Sequence, residues 1–302
     1  MVRISFQQKP GRKILIKSYG ADINASPSNL TDSGKKYYEK DPNHPGSLGL
    51  AISEAVEHSL RSDKIRYSLG SVVNFVCLHQ SIVGQESQKQ LKKVGIETPD
   101  IVIGCMGGGS NFSGLMIPYA RDKIRGISPD VQIIGVEPTA CPSVNKGKYT
   151  WDFGDTAKKA PILKMHTLGH NFIPDPIHAG GLRYHGIAPI VSNLYENDVI
   201  EASMHHQLDI IEAGLLFAKT EGILPAPETD HAIKEAIDQA LKAKENDEEK
   251  TILFNFSGHG YFDISAYQEY MEGNLIDFEL SQDKIDKSIN DADMPQIDES
   301  QF

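Results

Sequence analysis

Cysteine is scarce in this chain: the 302 residues include three, Cys77, Cys105 and Cys141. They lie far apart and form no Cys-x-x-Cys pair, which excludes a thiolate zinc site and implies a reduced, cytoplasmic protein. No run of about 18 apolar residues and no signal-peptide pattern occurs, so nothing suggests export or membrane insertion. Positive charge is also short. Thirty Lys and Arg against 41 Asp and Glu leave a net charge of -11, which argues against a nucleic acid or an anionic membrane as the main partner. Gly-x-Ser-x-Gly and His-Glu-x-x-His are both missing, and with them two common hydrolase signatures.

What is present is an ordinary globular composition, 39% hydrophobic and 24% charged, in a chain long enough for about two domains. The most informative stretch is Asp100 to Gly114, Asp-Ile-Val-Ile-Gly-Cys-Met-Gly-Gly-Gly-Ser-Asn-Phe-Ser-Gly. Residues 101–103 form a short apolar run of the kind a buried parallel strand shows, and a helical pattern resumes from Phe112. Between them Gly107, Gly108 and Gly109 allow a ligand to approach the backbone closely. The amides of Gly109, Ser110 and Asn111 then sit at the positive end of a helix, and the natural guest is a phosphate. A tight connection is the plainer reading of three glycines. The flanking strand, the helix and the Ser-Asn pair favour the ligand. No Gly-Lys-Ser/Thr ending follows, so the loop is not a nucleotide P-loop, and the glycines miss the dinucleotide spacing.

Taken in order, residues 1–6 alternate like a strand, 12–19 read as a helix and 21–25 as a second strand-like piece. Helices are expected near 30–39, 47–60 and 74–93. Residues 131–138 are another strand of the buried type, so strand, helix and strand over 101–138 predict a crossover unit of a parallel sheet, with ligands at the carboxyl ends of its strands. Residues 138–189 are irregular, and a long irregular span in a compact domain is more often functional than idle. Helices follow at 198–218 and 231–244, and a last buried strand from Thr251 runs into Ser257-Gly-His-Gly. Acidic residues crowd the end from residue 269, where a solvated, partly disordered tail is the default.

The loop at Ser257 has the same position relative to its strand as the glycine loop, so both can face one molecule. A serine hydroxyl there can donate to a neutral ring nitrogen without holding it protonated; a helix cap is the competing role. Glu228, after Pro225-Ala-Pro227, could face a ligand or serve the first turn of a helix. His166 and His170 have metal-ligand spacing, but Gly169 and Pro174 make a regular helix doubtful and no metal is expected. His205 and His206 point to different helix faces.

Five motifs, Pro45-Gly-Ser-Leu-Gly, Gly107-Gly-Gly-Ser-Asn, Ala179-Gly-Gly-Leu-Arg-Tyr-His-Gly, Glu221-Gly-Ile-Leu-Pro-Ala-Pro-Glu and Ser257-Gly-His-Gly, occur in an order and spacing that resemble the tryptophan synthase β-chain family. The Leu182-Arg183-Tyr184-His185 version is similar to its second, β-2 or β-like subtype. The match runs from Met1 to about Gly273. The resemblance implies a fold type II pyridoxal-phosphate enzyme, an α/β protein with a three-layer α-β-α parallel sheet. It implies a β-replacement that joins L-serine and indole into L-tryptophan.

On that basis Gly107, Gly108, Gly109, Ser110 and Asn111 would hold the cofactor phosphate, Ser257 would hydrogen-bond the pyridine nitrogen, and Glu228 would lie beside the ring. A neutral serine partner tempers the ring as an electron sink, which suits elimination of the serine hydroxyl over transamination. The resemblance also implies a homodimer and a doubtful dependence on an α-chain.

The family's cofactor-linking lysine, in a His-Lys-Asn motif, its catalytic glutamate and its substrate-carboxylate loop have no counterpart here. The expectation is an N-terminally truncated or split β-like chain, inactive alone and carrying no catalytic residue of its own. Its organisation would be a remnant of the N-terminal and middle domain over 1–80, a cofactor-binding domain over 81–275 and an acidic tail over 276–302. The alternatives are another type II lyase, such as threonine synthase or serine dehydratase, and a non-catalytic protein that binds a phosphate ligand.

Overall fold

The computed structural model describes residues 1–298 and 300. The chain opens with four helices, α1 (Arg3–Gln8), α2 (Pro10–Ser18), α3 (Asp32–Lys40) and α4 (Leu48–Ser59). Thr31 and Ser47 cap α3 and α4 by accepting from Gly34 N and Leu50 N at 3.0 and 3.1 Å, which occupies orphan first-turn amides. α5 (Asn74–Gln80) and α6 (Ile82–Lys93) precede the sheet.

β1 (Ile101–Cys105), α7 (Ser110–Ile124) and β2 (Gln132–Pro138) form the predicted crossover, with β1 and β2 parallel and Ile101 opposite Gln132. Then come α8 (Ser143–Lys146), β3 (Lys148–Phe153), β4 (Ile162–Thr167), α9 (Pro189–Glu196), β5 (Glu201–His205), α10 (Gln207–Glu221), α11 (Pro227–Glu245), β6 (Ile252–Phe254), α12 (Ile264–Met271) and α13 (Gln282–Asp291). The main sheet has the order β5-β2-β1-β6 and its pairs are parallel.

Successive strand residues point to opposite faces, and both faces are covered. Val102 and Ile133 pack with Phe112, Leu115, Met116 and Tyr119 of α7. Ile101, Ile103, Ile134 and Val136 pack with Ala232 of α11 on the other side. This is the three-layer α-β-α arrangement expected from the buried runs. Each fully buried large side chain contributes roughly 1.5–3 kcal/mol relative to exposure.

Several elements depart from expectation. Residues 1–6 alternate in polarity, yet Arg3–Gln8 is helical, with Val2 alone bridging Ser26; a short alternating run next to Pro10 is too brief to decide between the two periods. Residues 21–25 belong to no strand. The stretch 74–93 is two helices that meet at Ser81. The irregular span 138–189 contains the antiparallel pair β3–β4. Residues 201–205 form β5, placing His205 on a strand and His206 just before α10; apolar residues at Val199 and Ile200 had extended the helical pattern too far upstream.

The acidic segment is also ordered against the body. Ile285 of α13 and Leu280 are buried with Cys141, Leu168 and Phe172, because a few apolar residues at helical spacing suffice to dock an otherwise charged helix. Residues 299, 301 and 302, the end of the expected tail, lie outside the described residues.

Glu235 of α11 ties that helix to β5. It accepts from His205 Nε2 at 2.8 Å, Ser203 Oγ at 2.7 Å and Gln239 Nε2 at 2.7 Å. Burial alone would raise its carboxyl, but these bonds outweigh it and hold the group down at about 2, against an ordinary 4.5. A depressed folded value gives stability that is present above pH 4.5 and lost as pH falls toward 2. Urea unfolding across that window is expected to lose up to about 3 kcal/mol from this group. In Glu235→Gln the acid limb should be flatter, and an unchanged limb would show that the site is not linked to folding.

Candidate functional site

A cavity of about 640 Å3 opens at the carboxyl ends of β1 and β6, where ligands sit in parallel α/β sheets. The β1–α7 loop supplies Gly107, Gly108, Gly109, Ser110 and Asn111, and the β6–α12 loop supplies Ser257, Gly258 and His259. Glu228 of α11 and Gly181 form another wall, and Arg12, Leu15 and Ile16 of α2 lie across from them. All seven residues singled out from sequence therefore line one cavity.

The glycines are required by space. A Cβ on Gly107 would lie 2.2 Å from Gly181 O, and one on Gly108 would lie 2.0 Å from Ser71 Oγ. Gly109 has φ +93°, and α7 begins immediately after it. The first-turn amides of α7 have no intrahelical partner, and their positive end faces the cavity edge.

The Ser-Asn pair works less directly than expected. Ser110 Oγ donates to Gly70 O at 3.0 Å, which anchors the loop to residues 70–71. Asn111 Oδ1 accepts from Asn255 Nδ2 at 2.9 Å, and Asn111 Nδ2 donates to Cys105 Sγ at 3.5 Å. Asn111 thus fastens the α7 start to the ends of β1 and β6.

Glu228 Oε1 accepts from Gly181 N at 2.9 Å and lies 3.4 Å from Lys9 Nζ. Burial would raise its carboxyl, but the Lys9 charge and the Gly181 amide outweigh that and lower it, so Glu228 is anionic at neutral pH. Lys9 Nζ is held in turn by Asp263 Oδ1 at 2.7 Å. Glu228 Oε2 is buried with no hydrogen-bond partner among the described residues. An orphaned carboxylate oxygen at a cavity wall is a costly arrangement that a ligand donor would relieve.

Ser257 Oγ lies 2.9 Å from Thr229 Oγ1 and 3.6 Å from Cys105 Sγ. Burial pushes the Cys105 thiol up to about 12, so it is no nucleophile at neutral pH. Cys105, Thr229, Ser71, Gly181 and Lys9 were not among the site residues expected from the sequence. Gly181 stood in the densest part of the irregular span, and Cys105 ends the apolar run of β1. Nothing local marks Ser71 or Lys9.

The two histidines at metal spacing have other partners. His166 Nε2 lies 3.0 Å from Glu196 Oε1, and His170 Nδ1 lies 2.6 Å from Asp152 Oδ1. No group of three or more metal-binding side chains occurs among the described residues. None of the described helices is long and apolar enough to cross a membrane.

A glycine loop at a helix start, an anionic wall and a hydroxyl at the far loop thus line one cavity on a parallel α/β sheet. Residues 5–258 match the model of the pyridoxal-phosphate dependent enzyme family, and the chain belongs to that family.

Among curated proteins it resembles tryptophan synthase beta chain 2 of Aquifex aeolicus, 54% identical over 279 residues, covering 92% of this chain and 64% of that protein. It likewise resembles tryptophan synthase beta chain 2 of Pyrococcus furiosus, 51% identical over 290 residues, covering 96% and 64%. The chain thus spans under two thirds of the length of these relatives. Among solved structures, a fungal L-serine ammonia-lyase from Rhizomucor miehei aligns at TM-score 0.54 and 16% identity, covering 75% of this chain and 65% of that one. O-acetyl serine sulfhydrylase isoform 3 from Entamoeba histolytica aligns at TM-score 0.56 and 17% identity, covering 93% and 66%. The shared architecture is fold type II.

Proposed function

We propose that this chain holds the cofactor in a tryptophan synthase β-type reaction, the joining of L-serine and indole to L-tryptophan. The observation that carries the reading is the cavity itself, whose lining brings together the glycine loop, Glu228 and the Ser257 hydroxyl around about 640 Å3. The identity to tryptophan synthase β chains supports the choice of substrates. When bound, pyridoxal phosphate supplies an electron sink for carbanionic chemistry. Gly107 to Gly109 and the α7 amides would take its phosphate, Ser110 and Asn111 would brace that loop, Glu228 would stand beside the ring, and Ser257 would meet the ring nitrogen. The walls from α2 and residue 181 would shield the site from water.

Residues 81–275 are the unit that carries these contacts, with 1–80 contributing α2 as a wall. The assembled enzyme would be a cytoplasmic homodimer, with little reliance on an α-chain.

The test mixes the chain with pyridoxal phosphate, L-serine, indole and a separate polypeptide bearing the family's His-Lys-Asn lysine. Tryptophan detected by mass spectrometry supports the reading. Pyruvate without tryptophan would favour a serine dehydratase, and cofactor binding with neither product would favour a non-catalytic binding protein.

A further inference from the structure

Ser257 can present either its proton or its lone pairs to the cavity, and the groups behind it decide which. Thr229 is fully buried at the start of α11. Its Oγ1 accepts from Gly258 N at 3.1 Å. Its single proton has two acceptors within reach, Gly258 O at 3.2 Å and Ser257 Oγ at 2.9 Å. Gly258 O also accepts from Ala226 N at 2.9 Å, and the shorter contact, to Ser257, is the favoured one for the Thr229 proton.

On the other side Cys105 Sγ accepts from Asn111 Nδ2 at 3.5 Å and remains a thiol because burial raises it to about 12. Its sulfur already accepts from Asn111, so its proton is available to Ser257 Oγ, 3.6 Å away. Both lone pairs of Ser257 are then engaged from behind, by Thr229 O–H and by the weaker Cys105 S–H. The hydroxyl proton of Ser257 is the one left to point into the cavity.

Resting on the cofactor reading above, we propose that Thr229, seconded by Cys105, is a positioning residue that fixes Ser257 as a hydrogen-bond donor. The site therefore selects a ring whose nitrogen carries a lone pair rather than a proton. Thr229 touches no cofactor atom in this scheme. It acts through the direction of a neighbouring hydroxyl, and no bond is made or broken.

The test uses pyridoxine 5'-phosphate, which has no aldehyde, and its 1-deaza counterpart, in which C–H replaces the ring nitrogen. Both are titrated calorimetrically into the chain. One net hydrogen bond corresponds to a preference of about 10-fold for the nitrogen compound. Thr229→Val keeps the shape but removes the hydroxyl, and should reduce the preference to about 2-fold. In that variant the ultraviolet band of the bound ring should shift toward its protonated form. Thr229→Ser should restore both readouts, and Cys105→Ala should lower the preference by a smaller factor.

A Thr229→Val protein that binds both compounds with the wild-type preference and an unshifted band would overturn the proposal. So would a wild-type chain that binds the two equally. Binding of neither compound by the wild type would instead remove the cofactor reading, and this inference with it. Should Thr229→Val melt out, Cys105→Ala decides alone: an unchanged preference in it refutes the two-sided arrangement.

Discussion

Gly107→Ala is expected to weaken binding of a phosphorylated ligand at the β1–α7 loop by roughly 100-fold. The new methyl would sit 2.2 Å from Gly181 O and 3.0 Å from Leu182 Cα, both backbone atoms. A side chain can rotate away from such an overlap, but here two loops must separate. Opening them breaks the Gly181 N to Glu228 Oε1 bond and pulls the cradle from the α7 amides. Overpacking of this severity costs about 3 kcal/mol, and where ligand binding requires the loops to close again that cost lowers affinity by roughly 100-fold. Titration of pyridoxal phosphate followed by fluorescence measures it. Wild-type affinity in Gly107→Ala would show that the ligand does not use this loop. The chain should still fold, since the sheet core lies on the other side of Cys105.

Phe112→Ala should strike stability and site together. Phe112 has no exposed surface and packs in the cluster with Val102, Leu115, Met116 and Ile133. Its ring also lies against Gly104, where a Cβ would meet Phe112 Cδ2 at 3.0 Å. The side chain therefore sets the distance between β1 and the first turn of α7, the two ends that hold the glycine loop. Truncating a buried phenylalanine costs about 3–5 kcal/mol in lost transfer energy and cavity. In a chain of this size that lowers the melting temperature by about 10 °C. Calorimetry gives the shift. A change under about 2 °C would contradict the packing described, and Phe112→Leu should recover much of the loss.

The sheet and the site were legible in the sequence to different depths. β1 and β2 announced themselves because fully buried parallel strands need unbroken apolar runs, and residues 101–103 and 133–136 provide them. The glycine loop and Ser257 were legible because short-range spacing ties each to the end of a strand. Glu228 was legible as a residue following two prolines, although its partners, Lys9 and Gly181, were not: they reach it across long stretches of chain, and no local pattern encodes such a pairing. β5 was hidden by its half-buried edge position, which weakens alternation, and by the helix directly after it. α13 was masked by its charge, since one buried isoleucine, Ile285, with the partly buried Ile289 a turn later, is enough to dock it. Asn111 lines the cavity, but its bonds to Cys105 and Asn255 were not legible, because the partners of a side-chain amide come from tertiary structure rather than from the motif.

The walls of the cavity meet across great distances along the chain. Cys105 and Ser257 are 152 positions apart, and Lys9 and Glu228 are 219 apart. Contacts of such separation require the loop-closure entropy of almost the whole chain to be overcome first, which makes them slow to form. The binding site is thus a late product of folding, absent from any half-collapsed intermediate that has only β1, α7 and β2 in register. On the proposed reading, capture of the phosphorylated ring would report that the polypeptide has closed from α1 to α12, and the ligand would stabilise the completed fold rather than guide its first steps.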